Sequence, residues 1–144
     1  MKIEKMVRSD LNDVVRLAAQ LGYPNIQDRI EERFAEIQST KQFALFVARS
    51  DQGLITGWIQ INAEPISLLI GARADIAALV VDDQHRGQGV GKALLLRAED
   101  WAKENQLSLI RVRSNVRREG AHRFYQREGY VLSKTSNMFT KTLA

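Results

Sequence analysis

The sequence predicts an α/β protein of the α+β kind. It would have a mixed, mainly antiparallel central sheet of about seven strands, with helices on both faces in the order βααβββαβαββ. Three observations carry this. The stretch Arg73 to Val81 is a nearly continuous apolar run ending in Leu79-Val80-Val81, as expected of a strand covered on both faces. A polar, glycine-rich turn follows, and from Val90 the period is helical: Leu94, Ala98, Trp101 and Asn105 fall at i, i+4, i+7 and i+11, with Leu95 and Ala102 widening the apolar stripe. Shorter runs on either side alternate or carry apolar stripes, with turn residues between them.

Each element has its own reason. Lys2 to Arg8 alternates enough for a first strand, and Ser9 or Asp10 can cap the helix after it. Leu11, Val14, Val15, Ala18 and Leu21 form the inner stripe of that helix, which Gly22 and Pro24 stop. Asn25 is placed to cap a second helix, Ile26 to Gln38, with Ile30, Phe34 and Ile37 on one face. Gln42 to Arg49 and Leu54 to Ala63 read as a hairpin closed by Ser50-Asp51-Gln52-Gly53. Gly57-Trp58 inside the second strand suggests a close backbone approach or a bulge, with Trp58 in the core rather than stacked on a ligand.

The segment 64–71 is interrupted by Pro65 yet carries Ile66, Leu68, Leu69 and Ile70. It could extend the strand past a bulge, wall a pocket or form a dimer contact. Beyond the central helix, Leu107 to Ser114 reads as a strand and Glu119 to Glu128 as a short helix closed by Gly129. Tyr130 to Ser133 and Asn137 to Thr142 read as two final strands. No repeat, linker or low-complexity segment interrupts the chain.

With 144 residues, the chain is expected to form one domain, residues 1–144, burying roughly two-thirds of its unfolded surface. The apolar share of 44% and charged share of 26% are those of an ordinary soluble globular protein. No run approaches the ~18 apolar residues of a membrane span, and no signal-peptide core opens the chain, so no membrane partner is expected. With no cysteine, disulfides and thiolate chemistry are excluded, which fits a cytoplasmic location. Two histidines without clustered carboxylates argue against a dedicated metal site. A net charge of +4, from 21 basic and 17 acidic residues, favours capture of a polyanion. It is too weak and dispersed for nucleic-acid binding.

The chemistry concentrates in Arg86-Gly87-Gln88-Gly89-Val90-Gly91-Lys92. Glycine admits φ > 0 and lets a ligand approach the amides without a Cβ in the way. The N-terminus of the helix leaves N–H groups unpaired and carries partial positive charge. Arg86 adds a planar guanidinium suited to phosphate oxygens, and a diphosphate fits such a turn best. Two better-known phosphate loops do not match. Ala93, not Ser or Thr, follows Lys92, and the glycines alternate instead of following G-x-G-x-x-G.

Arg86-x-x-Gly89-x-Gly91 after Leu-Val-Val resembles the acetyl-CoA signature of the GNAT superfamily of N-acetyltransferases. A second stretch carries the same resemblance: Asn115, then Ala121, Phe124-Tyr125 and Gly129-Tyr130. The resemblance covers the chain in element order, with its specific motifs between residues 75 and 130. Within the superfamily, the stretch Ser114 to Tyr130 resembles the aminoalkylphosphonate acetyltransferases and some small aminoglycoside-acetylating relatives.

The resemblance implies acetyl-CoA as co-substrate and direct transfer to a primary amine, most simply of a small molecule. A protein lysine or N-terminus, or a non-catalytic acyl-CoA-binding regulator, is the alternative. It implies that the strand before the glycine turn splays from the strand after the helix, leaving a gap for the pantetheine arm. The N–H of Leu79 or Val80 would polarise the thioester carbonyl and Val81 would hold pantetheine. The amides from Gly87 to Gly91 would take the diphosphate, with Arg86, Gln88 and Lys92 beside them.

Tyr125 maps onto the general acid, and its reference pKa of about 10 suits donation to a thiolate near 8.5. Its alternative is a core aromatic. Asn115 would bond pantetheine or a water, or else cap a turn. For the base, Asp75 stands where relatives carry a glutamate, and alternation would put it on one face with Ala77, Leu79 and Val81. It could instead pair with Arg73 or a lysine, and His122 is a rival. Arg117, Arg118 and Arg123 could serve an anionic acceptor or the cofactor's 3′-phosphate, or simply lie at the surface. Uncovered apolar surface at 66–70 and in the C-terminal strands suggests a homodimer.

Overall fold

The computed structural model describes residues 1–114 and 118–143. The chain falls into two compact units, Met1–Val112 and Arg113–Ala144. The first contains β1 (Lys2–Lys5), α1 (Leu11–Leu21), α2 (Ile30–Gln38), β2 (Phe43–Arg49), β3 (Ile55–Glu64), β4 (Arg73–Val81), α3 (Val90–Glu104) and β5 (Ile110–Val112). The second contains α4 (Glu119–Arg127).

The strands form one sheet in the order β1-β2-β3-β4-β5. Each of the first three pairings is antiparallel and β4–β5 is parallel, so the sheet is mixed and mainly antiparallel. Trp58, Val47 and Val80 turn to one face and pack with Leu11, Val14, Leu17 and Phe34 from α1 and α2. Gly57 turns to the other face, where an added Cβ would meet Leu94 Cδ1 and Val90 Cγ1 of α3, each at 3.0 Å. Helices therefore cover both faces of this sheet. Trp58 lies in the core, and Gly57 is required by close approach: the same Cβ would sit 2.7 Å from the Val80 carbonyl oxygen.

The local signals hold best where a backbone requirement is strict. Gly22 caps α1 in the left-handed region at φ 109°. Gly53 (φ 84°) closes the β2–β3 turn, in which Ser50 N–H donates to the Leu54 carbonyl at 2.8 Å.

The structure corrects several expectations. The sheet has five strands among the described residues, not seven. Residues 130–133 and 137–142 form no ladder, and Val131, Leu132, Met138, Phe139 and Leu143 are exposed. Alternating apolar residues make a strand only when a neighbouring edge takes up their main-chain groups, and an isolated hairpin is marginal in water. The second helix is broken. A 3-10 turn, Ile26–Asp28, precedes α2, and Asn25 makes no side-chain cap bond. Asp10 is nearly fully buried and does not cap α1 through its side chain. Its carboxylate accepts instead from Val7 N–H and Arg49 Nη2, both at 2.9 Å. Segment 65–72 is irregular and exposed. Among the described residues no helix is long and apolar enough to cross a membrane.

Candidate active site

The pairing of β4 builds the site. Its ladder with β3 runs Gly57↔Val81 to Gln60↔Ala78, then resumes at Ile61↔Ile76, so Ala77 is an extra residue that opposes none. A bulge of this kind leaves main-chain groups out of the ladder and reverses the facing of every side chain beyond it. On the other edge, β4 pairs with β5 only from Ala74 to Ile76. From Ala77 to Val81 that edge has no strand partner among the described residues. The expected parting of the two strands therefore begins at the bulge, and among the described residues it leaves the main chain of Leu79 and Val81 along that edge, while Val80 turns its own towards β3.

The bulge corrects the expected facing of Asp75. Directly opposed residues share a face, so Asp75 lies with Asn62, and beyond the bulge with Ala78 and Val80. It does not share a face with Leu79 and Val81. Its carboxylate accepts from Arg111 Nε at 3.1 Å and Nη2 at 3.5 Å, a partner on β5 and neither Arg73 nor a lysine. Val80 is buried in the α1–α2 core and turns its carbonyl to β3, where a Gly57 Cβ would lie 2.7 Å away, so of the two amides expected at the thioester Leu79 is the one on the open edge.

After β4 the chain makes a 3-10 turn, Asp83–His85, and enters the glycine run. Asp82 N–H donates to the Thr56 carbonyl at 2.8 Å, anchoring the turn to β3. The buried Asp82 carboxylate accepts from Arg16 Nη1 at 3.3 Å, Gln20 Nε2 at 3.4 Å and the Gln84 N–H at 3.2 Å. His85 Nδ1 lies 3.4 Å from the same group. Gln20 Oε1 also accepts from Asp83 N–H at 2.9 Å. Burial pushes the Asp82 carboxyl up, but Gln84 N–H, Gln20 and Arg16 together outweigh it and hold the group below its usual range. One side of α1 thus clamps the turn and neutralises an acid that would otherwise repel an anion there.

The glycine run fits a phosphate-bearing ligand. Gly87 (φ 77°) and Gly89 (φ 83°) both occupy the left-handed region, and a Cβ on either would meet nothing within 4 Å. Space that a side chain would fill is left open to a ligand approaching the amides. Gly89 is the N-cap of α3 and makes no side-chain cap bond, so the first-turn N–H groups point out of the helix end. Gln88 and Lys92 are exposed; Val90 is buried against the sheet and offers only its N–H. Arg86 pairs with Asp83 at 2.8 Å, both more than half exposed, an exchangeable contact worth little in water. A separate cleft of about 720 Å³, lined by residues such as Met6, Phe34, Arg97 and Trp101, contains none of the expected site residues.

Tyr125 belongs to α4, in the second unit. Its ring meets Phe124 edge-on at 5.2 Å and Tyr130 at 5.8 Å, and its carbonyl accepts from Tyr130 N–H at 2.9 Å. Burial pushes its hydroxyl above the ordinary tyrosine value, against a smaller opposing pull from the Arg118 guanidinium. His122 lies one turn earlier on the same helix. Asn115 and Arg117 lie outside the described residues.

Sequence reasoning missed Arg16, Gln20, Asp82 and Arg111. Arg16 and Gln20 stand at i and i+4 beside the apolar stripe of α1, a spacing that marks one polar face without saying what it meets.

The site is thus a strand that parts from its neighbour and runs into an open glycine turn at a helix start. Residues 11–130 match the family model described as Acetyltransferase (GNAT) family, and the chain belongs to that family. It is an N-acetyltransferase. The aminoalkylphosphonate N-acetyltransferase of Salmonella typhimurium is 42% identical over 126 residues, 88% of this chain and 69% of that one. Among solved structures, AAC(6')-Iy in complex with the bisubstrate analogue CoA-S-monomethyl-acetylneamine has a TM-score of 0.88. It is 17% identical, over 99% of this chain and 98% of that one, which speaks to fold alone. A transcriptional regulator from Bacillus halodurans has a TM-score of 0.82 at 26% identity, over 97% and 99% of the two chains.

Proposed function

We propose that the protein transfers the acetyl group of acetyl-CoA directly to the primary amine of a small molecule. The observation that carries this is the open, left-handed turn at Gly87 and Gly89, placed at the end of a strand whose edge has no strand partner from Ala77 to Val81 among the described residues. The family match extends through both units, which supports one catalytic domain over residues 1–144.

In this reading the amides from Gly87 to Gly91 take the diphosphate, with Arg86 exchanging Asp83 for a phosphate oxygen and Gln88 and Lys92 alongside. Val81 bonds the pantetheine arm, and Asn115 bonds it or a water. The N–H of Leu79 polarises the thioester carbonyl. The neutral amine attacks that carbon, the new N–C bond forms, and the C–S bond breaks. Tyr125 gives its proton to the departing sulfur, and burial of its hydroxyl supports a group that stays protonated until then. The amine's own proton leaves through a water or His122, because Asp75 is engaged by Arg111.

The acceptor of the Salmonella relative makes aminoalkylphosphonates the first candidates. A thiol-reactive dye that reports free CoA, run against a panel of small amines, lysine peptides and N-terminal peptides, tests the reading. Turnover on small amines is expected; turnover on peptides alone would overturn it.

We also propose a homodimer. Leu68 and Leu69 are almost fully exposed, as are Val131 and Phe139. Apolar surface on this scale is uncommon on a monomer. Light scattering should give twice 16.3 kDa at micromolar concentration, and the single-chain mass would refute it.

A further inference from the structure

An amine that attacks a carbonyl held at the Leu79 amide has to come over one face of the sheet, and the two faces differ there. On the face that Gly57 turns to α3, Ile59 and Ile61 are wholly buried and Ile76 nearly so. On the other face the apolar core ends at Trp58 and Val80, with Ala78 packed at its border. Beyond that border stand Gln60, Asn62 and Asp75, and all three are half-buried, as is Ala78. By register Gln60 lies opposite Ala78, and Asn62 opposite Asp75.

Of these polar groups Gln60 stands nearest the reacting edge. Directly opposed residues have Cβ atoms roughly 5 Å apart, and Leu79 is the residue after Ala78. Asp75 lies beyond the bulge, and its carboxylate is taken by Arg111. The Gln60 amide is also oriented. Its Nε2 donates to Asn62 Oδ1 at 3.0 Å, so Oε1 is the atom left to offer a ligand. A neutral oxygen can accept one N–H of an amine, and it does less than a carboxylate would to keep that amine protonated. That suits a nucleophile that needs a free lone pair.

We propose that Gln60 positions the acceptor nitrogen, with its own amide held in orientation by Asn62. The amine gives one N–H to Gln60 Oε1 and turns its lone pair towards the carbonyl carbon at Leu79. This rests on the acetyl group being delivered at the open edge of β4, as argued above.

The test uses the full chain and the small amine on which it turns over fastest. Gln60→Leu keeps the bulk and removes the oxygen. It should lower kcat/KM for the amine at least tenfold, with acetyl-CoA affinity by calorimetry within twofold. Asn62→Ala, which frees the amide to turn, should show part of the same loss. Gln60→Glu puts a charge beside the bound amine and favours its protonated form, so the acidic limb of kcat should move about one unit higher in pH. Wild-type activity in Gln60→Leu, an equal loss of acetyl-CoA affinity, or an unmoved limb in Gln60→Glu would each overturn the proposal. If the wild type acetylates no small amine, calorimetry of propylamine on the CoA-loaded protein decides instead. Binding that Gln60→Leu abolishes would support the amine site although the transfer reading fails. Binding that the variant leaves unchanged, or no binding by the wild type, would end the proposal.

Discussion

The two ends of the proposed chemistry are built differently. The glycine turn between β4 and α3 is held from several sides: by the Asp82 N–H on Thr56, by Arg16 and Gln20 on Asp82, and by Gln20 on the Asp83 amide. The turn's function lies in its backbone, and its side chains are mostly out of the way. Tyr125 is the opposite case. Its proposed role rests on a single hydroxyl, and its ring is placed by Phe124 on the same short helix and Tyr130 three residues beyond the helix end. A site made of amides should fail by distortion, and a site made of one proton donor should fail by deletion.

The sharpest way to break the first end is to put a side chain where there is none. Gly89→Val adds a β-branched residue at φ 83°, where such residues are strained, and fills the approach to the amides. Acetyl-CoA affinity by calorimetry should fall at least a hundredfold, about 3 kcal/mol. Tight binding by a folded Gly89→Val protein would mean that the diphosphate sits elsewhere.

The second end should lose rate and keep affinity. Tyr125→Phe retains the ring and its edge-on contact and removes only the proton. It should lower kcat by roughly 10² to 10⁴-fold, with acetyl-CoA binding within twofold. Because burial raises the hydroxyl's pKa, wild-type kcat should begin its alkaline decline above the ordinary value of about 10. That limb should vanish in the variant. An unchanged chemical step would return Tyr125 to a packing role.

The smallest effect tests the clamp. Asp82 has a folded pKa below its unfolded value of about 3.9, so its stabilisation is present above that pH and lost as pH falls through the lower folded value. Asp82→Asn should cost about 2 kcal/mol in urea unfolding at pH 7, and the gap to wild type should close towards pH 2. A gap independent of pH would show that shape, and not charge, holds the turn.

This contrast also explains what was legible in the sequence. Gly87 and Gly89 were readable because left-handed backbone leaves a mark in the residue type itself, as did Gly22 and Gly53 at their turns. The bulge at Ala77 left none, since no glycine or proline marks it. Counting by twos along β4 therefore put Asp75 on the wrong face relative to Leu79. The clamp joins positions 62 to 66 residues apart, and no local pattern connects Gln20 or Arg16 with Asp82. The final strands were over-read for a related reason. Residues 130–142 have the composition of strands, but a ladder depends on a neighbour that composition cannot supply.

Gly57 has a consequence of a different kind. It works as a shim of zero thickness between β3, the end of β4 and the first turns of α3. Any side chain there must push on the Val80 carbonyl or on Val90 and Leu94, one lying on the β3 side of β4 and the others on the helix that starts at the glycine turn. In the proposed reading, the spacing between thioester and diphosphate subsites is thereby gauged from beneath, by an atom that is absent. On that reading, this position sets the length of cofactor that the site measures.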